Sequence, residues 1–210
     1  MPYIITDLKF SKRSQGWVHV YLDHQYEFTL TVLDAAALST GQALEAEYVS
    51  RMKRRQDIRA AYSCAIRYLS HRQRSRKEID RYLDIRRGFA RETISAAIAR
   101  LTNDGYLDDK EFARLFVESR VRSHPRSRAF LSHELSQKGI DDDVIDAVLE
   151  GVDDERLAWR SIESKMNQWA TLDRARFKKR LISFLQRRGF SLSVALNAYH
   201  CAVSQNYRGD

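Results

Sequence analysis

Three glycines recur at matching positions of this 210-residue chain. Each follows a basic, helix-like run and precedes an apolar residue, as in Arg87-Gly88-Phe89, Lys138-Gly139-Ile140 and Arg188-Gly189-Phe190. Glycine just past a helix adopts the left-handed conformation without a steric penalty, and a cation in the last turn complements the helix dipole. The spacings of 51 and 50 residues between these glycines predict an internal repeat of about fifty residues.

Apolar residues recur at fixed distances around each glycine. A pair four residues apart, typical of one buried helix face, precedes each of them: Ile79 and Leu83, Leu131 and Leu135, Leu181 and Leu185. A second helical pattern follows each glycine and ends near Ile98, Leu149 and Tyr199. A third precedes each pair, at residues 61–70, 112–121 and about 154–169. We therefore predict a three-helix unit repeated three times, with one extra residue between Leu83 and Gly88 in the first copy.

The first thirty residues follow a different pattern. Ile4, Thr6, Leu8 and Phe10 alternate with polar neighbours, as in a half-buried strand, and a polar turn follows at residues 11–16. Two β-branched and aromatic runs then flank Asp23-His24-Gln25, which predicts a hairpin. We expect a small antiparallel sheet of about three strands.

The segment after the sheet returns to helical patterns. Asp34 is a candidate N-cap for a short helix at 35–38, and a longer helix is expected from about Gln42. The basic run at 51–55 falls either on this helix or on its join to the first repeat.

These patterns predict a mostly α fold. We expect a curved, solenoid-like tandem array of three three-helix repeats, preceded by a small antiparallel β hairpin or sheet. The expected boundaries are 1–55 for the sheet with short helices, and 56–109, 110–153 and 154–210 for the three repeats.

Composition and motifs argue against several classes of protein. No apolar stretch approaches the length needed to cross a bilayer, and Cys64 and Cys201 are isolated, so a cytoplasmic protein without disulfides or membrane contact is expected. The six histidines form no ligand pattern, and no glycines form a phosphate-binding loop. No serine or cysteine occupies a recognisable nucleophile motif. We therefore predict a non-enzymatic protein with no cofactor and no metal.

Positive charge is unevenly distributed along the chain. The net charge is +8, but Lys and Arg outnumber Asp and Glu by 15 to 5 in residues 51–100 and are outnumbered by 11 to 7 in residues 101–150. Residues 151–210 are basic again, with 11 against 6. Such alternation indicates a mixed-sign partner or a polyanion bound at two places. The alternative is that these charges only solvate helix faces.

Basic residues recur near the start of the second helix of each repeat, and near its end in repeats one and three. A cationic stripe of this kind attracts phosphate backbones. The candidate contact residues are Arg72, Arg74, Arg76, Lys77, Arg81, Arg86 and Arg87 in repeat one, Arg126 and Arg128 in repeat two, and Lys178, Lys179, Arg180, Arg187 and Arg188 in repeat three. Ser75 and Ser127 are candidate caps of the same helices. The acidic clusters at 108–109, 141–143 and 153–155 are interpreted as helix caps rather than metal or catalytic groups.

Three strings stand out within residues 60–150: Arg-Ser-Arg-Lys-Glu-Ile at 74–79, Gly-Tyr-Leu-Asp-Asp at 105–109, and Glu-Leu-Ser-Gln-Lys-Gly-Ile at 134–140. In this order they resemble the RecX family, regulators of the RecA recombinase. The third repeat departs most from the family pattern, with Arg-Phe-Lys-Lys at 176–179 and a longer first helix.

The resemblance implies a helical array that lies along the groove of a RecA–DNA filament and restrains filament growth, ATP hydrolysis and strand exchange. The implied partners are a RecA-type recombinase filament with single-stranded and duplex DNA, contacted by a monomer. One alternative is a helix-turn-helix-like protein that binds DNA directly, although the acidic start of the helix at 141–143 would repel phosphates. Another is a scaffold for a different protein partner.

Overall fold

The computed structural model describes residues 2–12 and 16–206, which form a small sheet followed mostly by helices. The elements are β1 (Tyr3–Phe10), β2 (Trp17–Leu22), β3 (Gln25–Thr31), α1 (Val32–Ala35), β4 (Ala43–Leu44), α2 (Ala46–Leu69), α3 (Arg76–Arg81) extended by a π-helical turn (Tyr82–Arg86), α4 (Arg91–Asn103), α5 (Asp109–Ser123), α6 (Arg128–Gln137), α7 (Asp142–Leu149), α8 (Asp154–Glu163), α9 (Met166–Trp169), α10 (Arg174–Gln186) and α11 (Leu192–Asn206). The predicted mostly α class with an N-terminal antiparallel sheet is confirmed.

The sheet has the strand order β3-β2-β1-β4 and is antiparallel throughout. Its fourth strand was not predicted, because β4 pairs only through Ala43 and Leu44 and is too short to show alternation. The predicted hairpin is confirmed: Asp23 and His24 have φ of +48° and +67°, as a tight two-residue turn requires. Of the predicted turn at 11–16, residues 13–15 lie outside the described residues.

Two predictions for the segment after the sheet were wrong in detail. Thr31, not Asp34, caps α1: its hydroxyl oxygen accepts the Asp34 N–H at 3.1 Å and donates to the Asp34 carboxylate at 2.8 Å. The helices expected from Gln42 and from Ala61 are one continuous helix, α2, and the basic run 51–55 lies on it. Its first half packs against the sheet and its second half packs in the first helix triplet, so one element serves two cores.

Each of the three helix sets has its own buried core. The sets are α2–α4, α5–α7 and α8–α11, and the paired residues expected before each glycine are all fully buried. The chain divides into two compact units: residues up to Arg74 with Glu78–Leu107, and Ser75–Lys77 with the chain from Asp108 on. Within the second unit, Val121 and Val152 pack against both of its cores. The repeat boundaries at 56, 110 and 154 stay a prediction.

The first helix of the third set is interrupted, whereas one helix was expected over 154–169. It ends at Glu163 and resumes as the short α9. The interruption places the Trp169 ring, which is 4% exposed, against Phe184 and Phe177 at ring distances of 5.3 and 6.5 Å.

The extra residue of the first repeat is absorbed by the π-helical turn at Tyr82–Arg86. In all three copies the apolar residue after the glycine donates its N–H to the carbonyl of the second buried residue of the pair, at 3.2 Å. This bond spans five residues from Ile140 to Leu135 and from Phe190 to Leu185, but six from Phe89 to Leu83. A π turn accommodates one inserted residue while the flanking residues keep their buried positions.

Candidate cationic interface

Buried serines anchor the starts of α3 and α6 in the second unit. Ser75 and Ser127 have no exposed surface. Ser127 caps α6 as predicted, because its Oγ accepts the Phe130 N–H at 3.1 Å. Each serine also reaches the carbonyl that precedes the glycine of the next repeat: Ser75 Oγ donates to Lys138 O at 2.7 Å, and Ser127 N donates to Arg188 O at 3.1 Å. The carbonyl before the glycine is therefore bound by a serine at two successive places in the chain, by the hydroxyl of Ser75 and by the backbone N–H of Ser127.

Two of the repeated glycines lie at these contacts. A Cβ atom on Gly139 would come within 2.7 Å of Lys77 Cβ, and one on Gly189 within 2.6 Å of Ser127 Oγ. A Cβ atom on Gly88 would meet nothing within 4 Å. All three have positive φ, between 67° and 87°, so backbone conformation favours glycine at each of them. Close packing requires it only at Gly139 and Gly189.

Aspartates complete the two contacts. Asp109 Oδ1 accepts the Arg76 N–H at 2.8 Å, and Asp154 Oδ1 accepts the Arg128 N–H at 2.7 Å. Burial raises the pKa of Asp109 above its usual value, although the bond from Arg76 opposes the shift. Sequence reasoning missed this role, and the available signal was the doubled Asp-Asp at 108–109 and 153–154.

The first aspartate of each Asp-Asp pair caps the helix that follows it, as predicted. Asp108 accepts the N–H groups of Lys110 and Glu111, and Asp153 those of Glu155 and Arg156. Asp141 occupies the N-cap position of α7 without a side-chain bond to the helix.

In the first unit, two candidate arginines are held by tyrosines. The Tyr68 and Tyr82 rings stack at 3.9 Å with 12° between their planes. The Arg74 guanidinium lies 3.4 Å from the Tyr68 ring centre, and Arg87 lies 5.5 Å from that of Tyr82 while its Nε donates to the Tyr82 hydroxyl at 3.0 Å. Arg72 is paired with Glu78 at 2.8 Å. These three candidates therefore have partners within the chain.

Arg81 and Arg86 differ from them. Both are exposed, and neither has an acidic partner among the described residues. Arg91 binds Asp80 at 2.8 Å and Asp84 at 2.7 Å, so the nearest carboxylates are already neutralised. Ile85, on the π turn between them in sequence, is 65% exposed. The first unit thus presents two unpaired cations and an exposed aliphatic side chain on one short segment.

In the second unit, the fold brings together candidates from two repeats. Arg188 lies close enough to Arg126 and to Arg187 for the charge of each to act on it. Burial first, and then the charges of Arg126 and Arg187, lower the pKa of Arg188. Arg188 is held by a bond to Pro125 O at 3.1 Å and lies 4.5 Å from the Phe184 ring centre, whereas Arg187 is exposed. We call Arg126, Arg187 and Arg188 the arginine cluster.

The remaining candidates are exposed. Arg76 and Arg128 have their backbone N–H groups fixed by Asp109 and Asp154, while their side chains face solvent. Lys77 is exposed and its side chain packs beside Gly139. Lys178, Lys179 and Arg180 are exposed on α10, with the Lys178 ammonium 5.4 Å from the Tyr199 ring centre.

Metal-ligand groups and membrane-spanning helices bear on the class of protein. Across residues 2–12 and 16–206, no three His, Cys, Asp or Glu side chains are grouped as metal ligands. None of the helices formed by those residues combines the length and apolar character needed to span a membrane.

Three-helix sets rich in exposed cations, with a Ser, Asp and Gly contact at two positions of the second unit, define a class of helical repeat proteins. Profiles of RecX domains match in the expected order, with the first three-helix domain at residues 61–101 and the second at 108–149. The regulatory protein RecX of Lactobacillus delbrueckii subsp. bulgaricus is 32% identical over 197 residues, which cover 91% of this chain and 72% of that protein. The chain belongs to the RecX family.

Other relatives agree with this assignment. The regulatory protein RecX of Bacillus subtilis is 30% identical over 199 residues, covering 92% of this chain and 75% of that protein. A crystal structure of regulatory protein RecX has the same fold, with a TM-score of 0.69 over 91% of this chain and 96% of that chain at 23% identity. RecX from Lactobacillus salivarius gives a TM-score of 0.60 over 70% of this chain and 97% of that chain, also at 23% identity. The resemblance noted in the sequence is confirmed.

Proposed function

We propose that this chain binds a RecA-type recombinase filament on DNA and restrains filament growth, ATP hydrolysis and strand exchange. It acts as a cytoplasmic monomer and catalyses no reaction itself. The observation that carries the proposal is membership of the RecX family, whose compared members are named regulatory proteins. The contact surface is proposed from the cations described above.

In the first unit, the proposed contact is the segment of Arg81, Ile85 and Arg86. Unpaired arginines need no internal ion pair to be broken before they meet phosphate or carboxylate groups, so binding there costs less. The exposed Ile85 adds apolar surface of the kind that contacts protein rather than phosphate. Such a mixture fits a filament, which presents protein beside nucleic acid. Arg72, Arg74 and Arg87 are proposed to border this contact.

In the second unit, the proposed contact is the arginine cluster. Like charges held together repel one another, and a bound anion relieves that repulsion. Burial of Arg188 strengthens its attraction for an anion, because the effective dielectric there is lower than in water. Arg76, Lys77, Arg128, Lys178, Lys179 and Arg180 stay proposed as weaker, exposed contacts.

The first test measures ATP hydrolysis by a RecA-type recombinase on single-stranded DNA with increasing amounts of this protein. We expect hydrolysis to fall at concentrations at which bare DNA, followed in a parallel binding assay, is still unbound. Unchanged hydrolysis together with sequence-selective duplex binding would instead favour the direct DNA-binding alternative.

A second test assigns the contact in the first unit. Arg81→Glu/Arg86→Glu should raise the half-inhibitory concentration about tenfold at low salt, and by less at moderate salt, because salt screens these electrostatic contacts. The matched control is Arg156→Glu/Arg160→Glu, which reverses two exposed helical arginines outside the proposed surfaces. Equal inhibition by both double variants would remove Arg81 and Arg86 from the interface.

A further inference from the structure

The first unit contains a cleft that the proposed filament contacts do not use. It has a volume of about 330 Å³ and lies where the outer face of the sheet meets α2. Its walls include Trp17, His19 and Thr29 from the sheet, and Gln56, Arg59 and Ser63 from the helix. A cleft of this size falls at the lower end of the range found for small-ligand sites.

Aromatic side chains follow one another along the outer face of the sheet. Val18, Val20 and Leu22 are buried on the inner face, so Trp17, His19 and Tyr21 lie on the opposite face of the same strand. Tyr26, which is 48% exposed, extends this row, with ring distances of 5.8 Å to His19 and 6.0 Å to Tyr21. Four rings thus run from the cleft along the sheet.

Arg59 supplies a positive charge at the cleft. Its guanidinium lies 4.3 Å from the Trp17 ring centre and has no ion-pair partner in the described part of the chain. Burial is the main cause that lowers its pKa; Arg100 acts in the same direction and Asp34 opposes them. A partly desolvated cation of this kind attracts an anion.

Two acidic groups of the sheet already have partners. Glu27 is paired with Lys53 at 2.5 Å, and Asp7 with Lys9 at 2.9 Å. Gln56 fixes the edge of the sheet, since its Oε1 accepts the Thr29 N–H at 2.6 Å. Glu27 and Asp7 are thus neutralised, and Arg59 is the charged side chain among the described residues that line the cleft.

The positive charge continues along α2 beyond the cleft. Residues 56, 59, 63 and 67 are spaced by three or four and share one helix face. Ser63 and Arg67 are exposed on this face, and Arg67 lies about 12 Å from Arg59 along the axis at 1.5 Å per residue. A cationic track therefore begins at the ring-lined cleft.

We propose that this cleft binds single-stranded nucleic acid, with a base stacked against Trp17 and His19 and phosphates placed on Arg59 and Arg67. Rings beside a cationic track are the combination with which single strands are bound without sequence preference. An acidic peptide would satisfy Arg59 but would leave the row of rings unused. The proposal goes beyond the proposed function, because it assigns a single-strand site to residues of the first unit that lie outside the proposed filament contacts.

The test measures fluorescence anisotropy of a labelled oligo-dT strand with the full chain alone. Arg59→Gln and Trp17→Ala should each weaken binding about tenfold, the scale of one stacked base or one lost phosphate contact. Arg156→Gln, an exposed helical arginine of the other unit, is the matched control and should bind as the parent does. An abasic strand of equal length should bind the parent more weakly than oligo-dT, and this difference should be smaller in Trp17→Ala.

Trp17→Phe distinguishes the loss of a stacking ring from misfolding, because phenylalanine keeps a ring at this position. It should retain oligo-dT binding but lose the quenching of tryptophan emission that Trp17 gives in the parent. Equal binding of abasic and oligo-dT strands by the parent would overturn the proposal. So would Arg59→Gln binding like Arg156→Gln, or displacement of oligo-dT by an oligo-glutamate peptide at equal charge. None of these results depends on filament inhibition by Arg81 and Arg86, so the two proposals fail separately.

Discussion

The second helices of the first two repeats begin alike and end differently. α3 and α6 both start at an Arg-Ser-Arg sequence with a fully buried serine, and both carry a pair of buried apolar residues. α6 ends as a regular helix at a glycine packed against Lys77. α3 passes into a π turn and ends at Gly88, whose surroundings are open.

This difference shows that one sequence signature serves two purposes. At Gly139 the missing side chain allows a close approach as well as a positive φ, whereas at Gly88 it allows only the positive φ. Because Gly88 makes no close packing contact, the end of α3 can accommodate one extra residue and the exposed Ile85. Surface that packing does not occupy is available to a partner.

The largest expected effect separates the two glycines. Gly139→Ala should lower the free energy of unfolding by about 3 kcal/mol, since it adds a clash with Lys77 to the left-handed strain. Gly88→Ala should cost only about 1 kcal/mol, from the strain alone. Urea unfolding of the two variants, followed by circular dichroism, checks the order. Equal losses of unfolding free energy would show that the clash with Lys77 contributes nothing to the cost at Gly139.

An intermediate effect on stability is expected when the leucine-to-glycine spacings at the ends of α3 and α6 are exchanged. Deleting Ile85 gives the first repeat the leucine-to-glycine spacing of the other two, and stability should change by no more than about 1 kcal/mol because the residue is exposed. Inserting an alanine after Gln137 gives α6 the spacing of α3, but there Gly139 is confined by Lys77.

Thermal melting should therefore show a larger loss for the insertion than for the deletion. The deletion should nevertheless weaken filament inhibition, because it turns Arg86 relative to Arg81. If the deletion variant inhibits the filament as strongly as the parent does, the π turn has no part in that inhibition.

The smallest effect concerns the aspartate that binds the start of α3. Because burial raises the pKa of Asp109 in the folded state, the folded chain holds this proton more readily than the unfolded chain. The contribution of Asp109 to stability is thus greatest at low pH and declines as pH rises through its folded pKa.

Asp109→Asn removes this decline while keeping an acceptor for the Arg76 N–H. Its stability relative to the parent should accordingly rise between about pH 4 and about pH 7. Asp109→Ala, which lacks the acceptor, should be less stable than Asp109→Asn across this range by about 1 kcal/mol. A relative stability of Asp109→Asn that falls as pH rises would contradict the assigned cause.

Much of the helical fold was predictable because its signals are local. Glycine after a cation, apolar pairs four residues apart, and aspartate or serine at a helix start each act within one or two turns, so the sequence alone indicated the repeats and several caps. The hairpin at Asp23 and His24 was equally local. The continuity of α2 and the break before α9 were not, because each depends on which core the helix meets.

The candidate contacts divide in the same way. Composition and spacing determined that cations accompany the second helix of each repeat. Only the tertiary structure decided that Arg74 and Arg87 are held by stacked tyrosines, and that Arg126 comes to lie near Arg188. It also decided that Arg81 and Arg86 have no acidic partner within residues 2–12 and 16–206. The physical reason is that periodicity fixes the face on which a residue lies, while its charge partners come from residues distant in the chain.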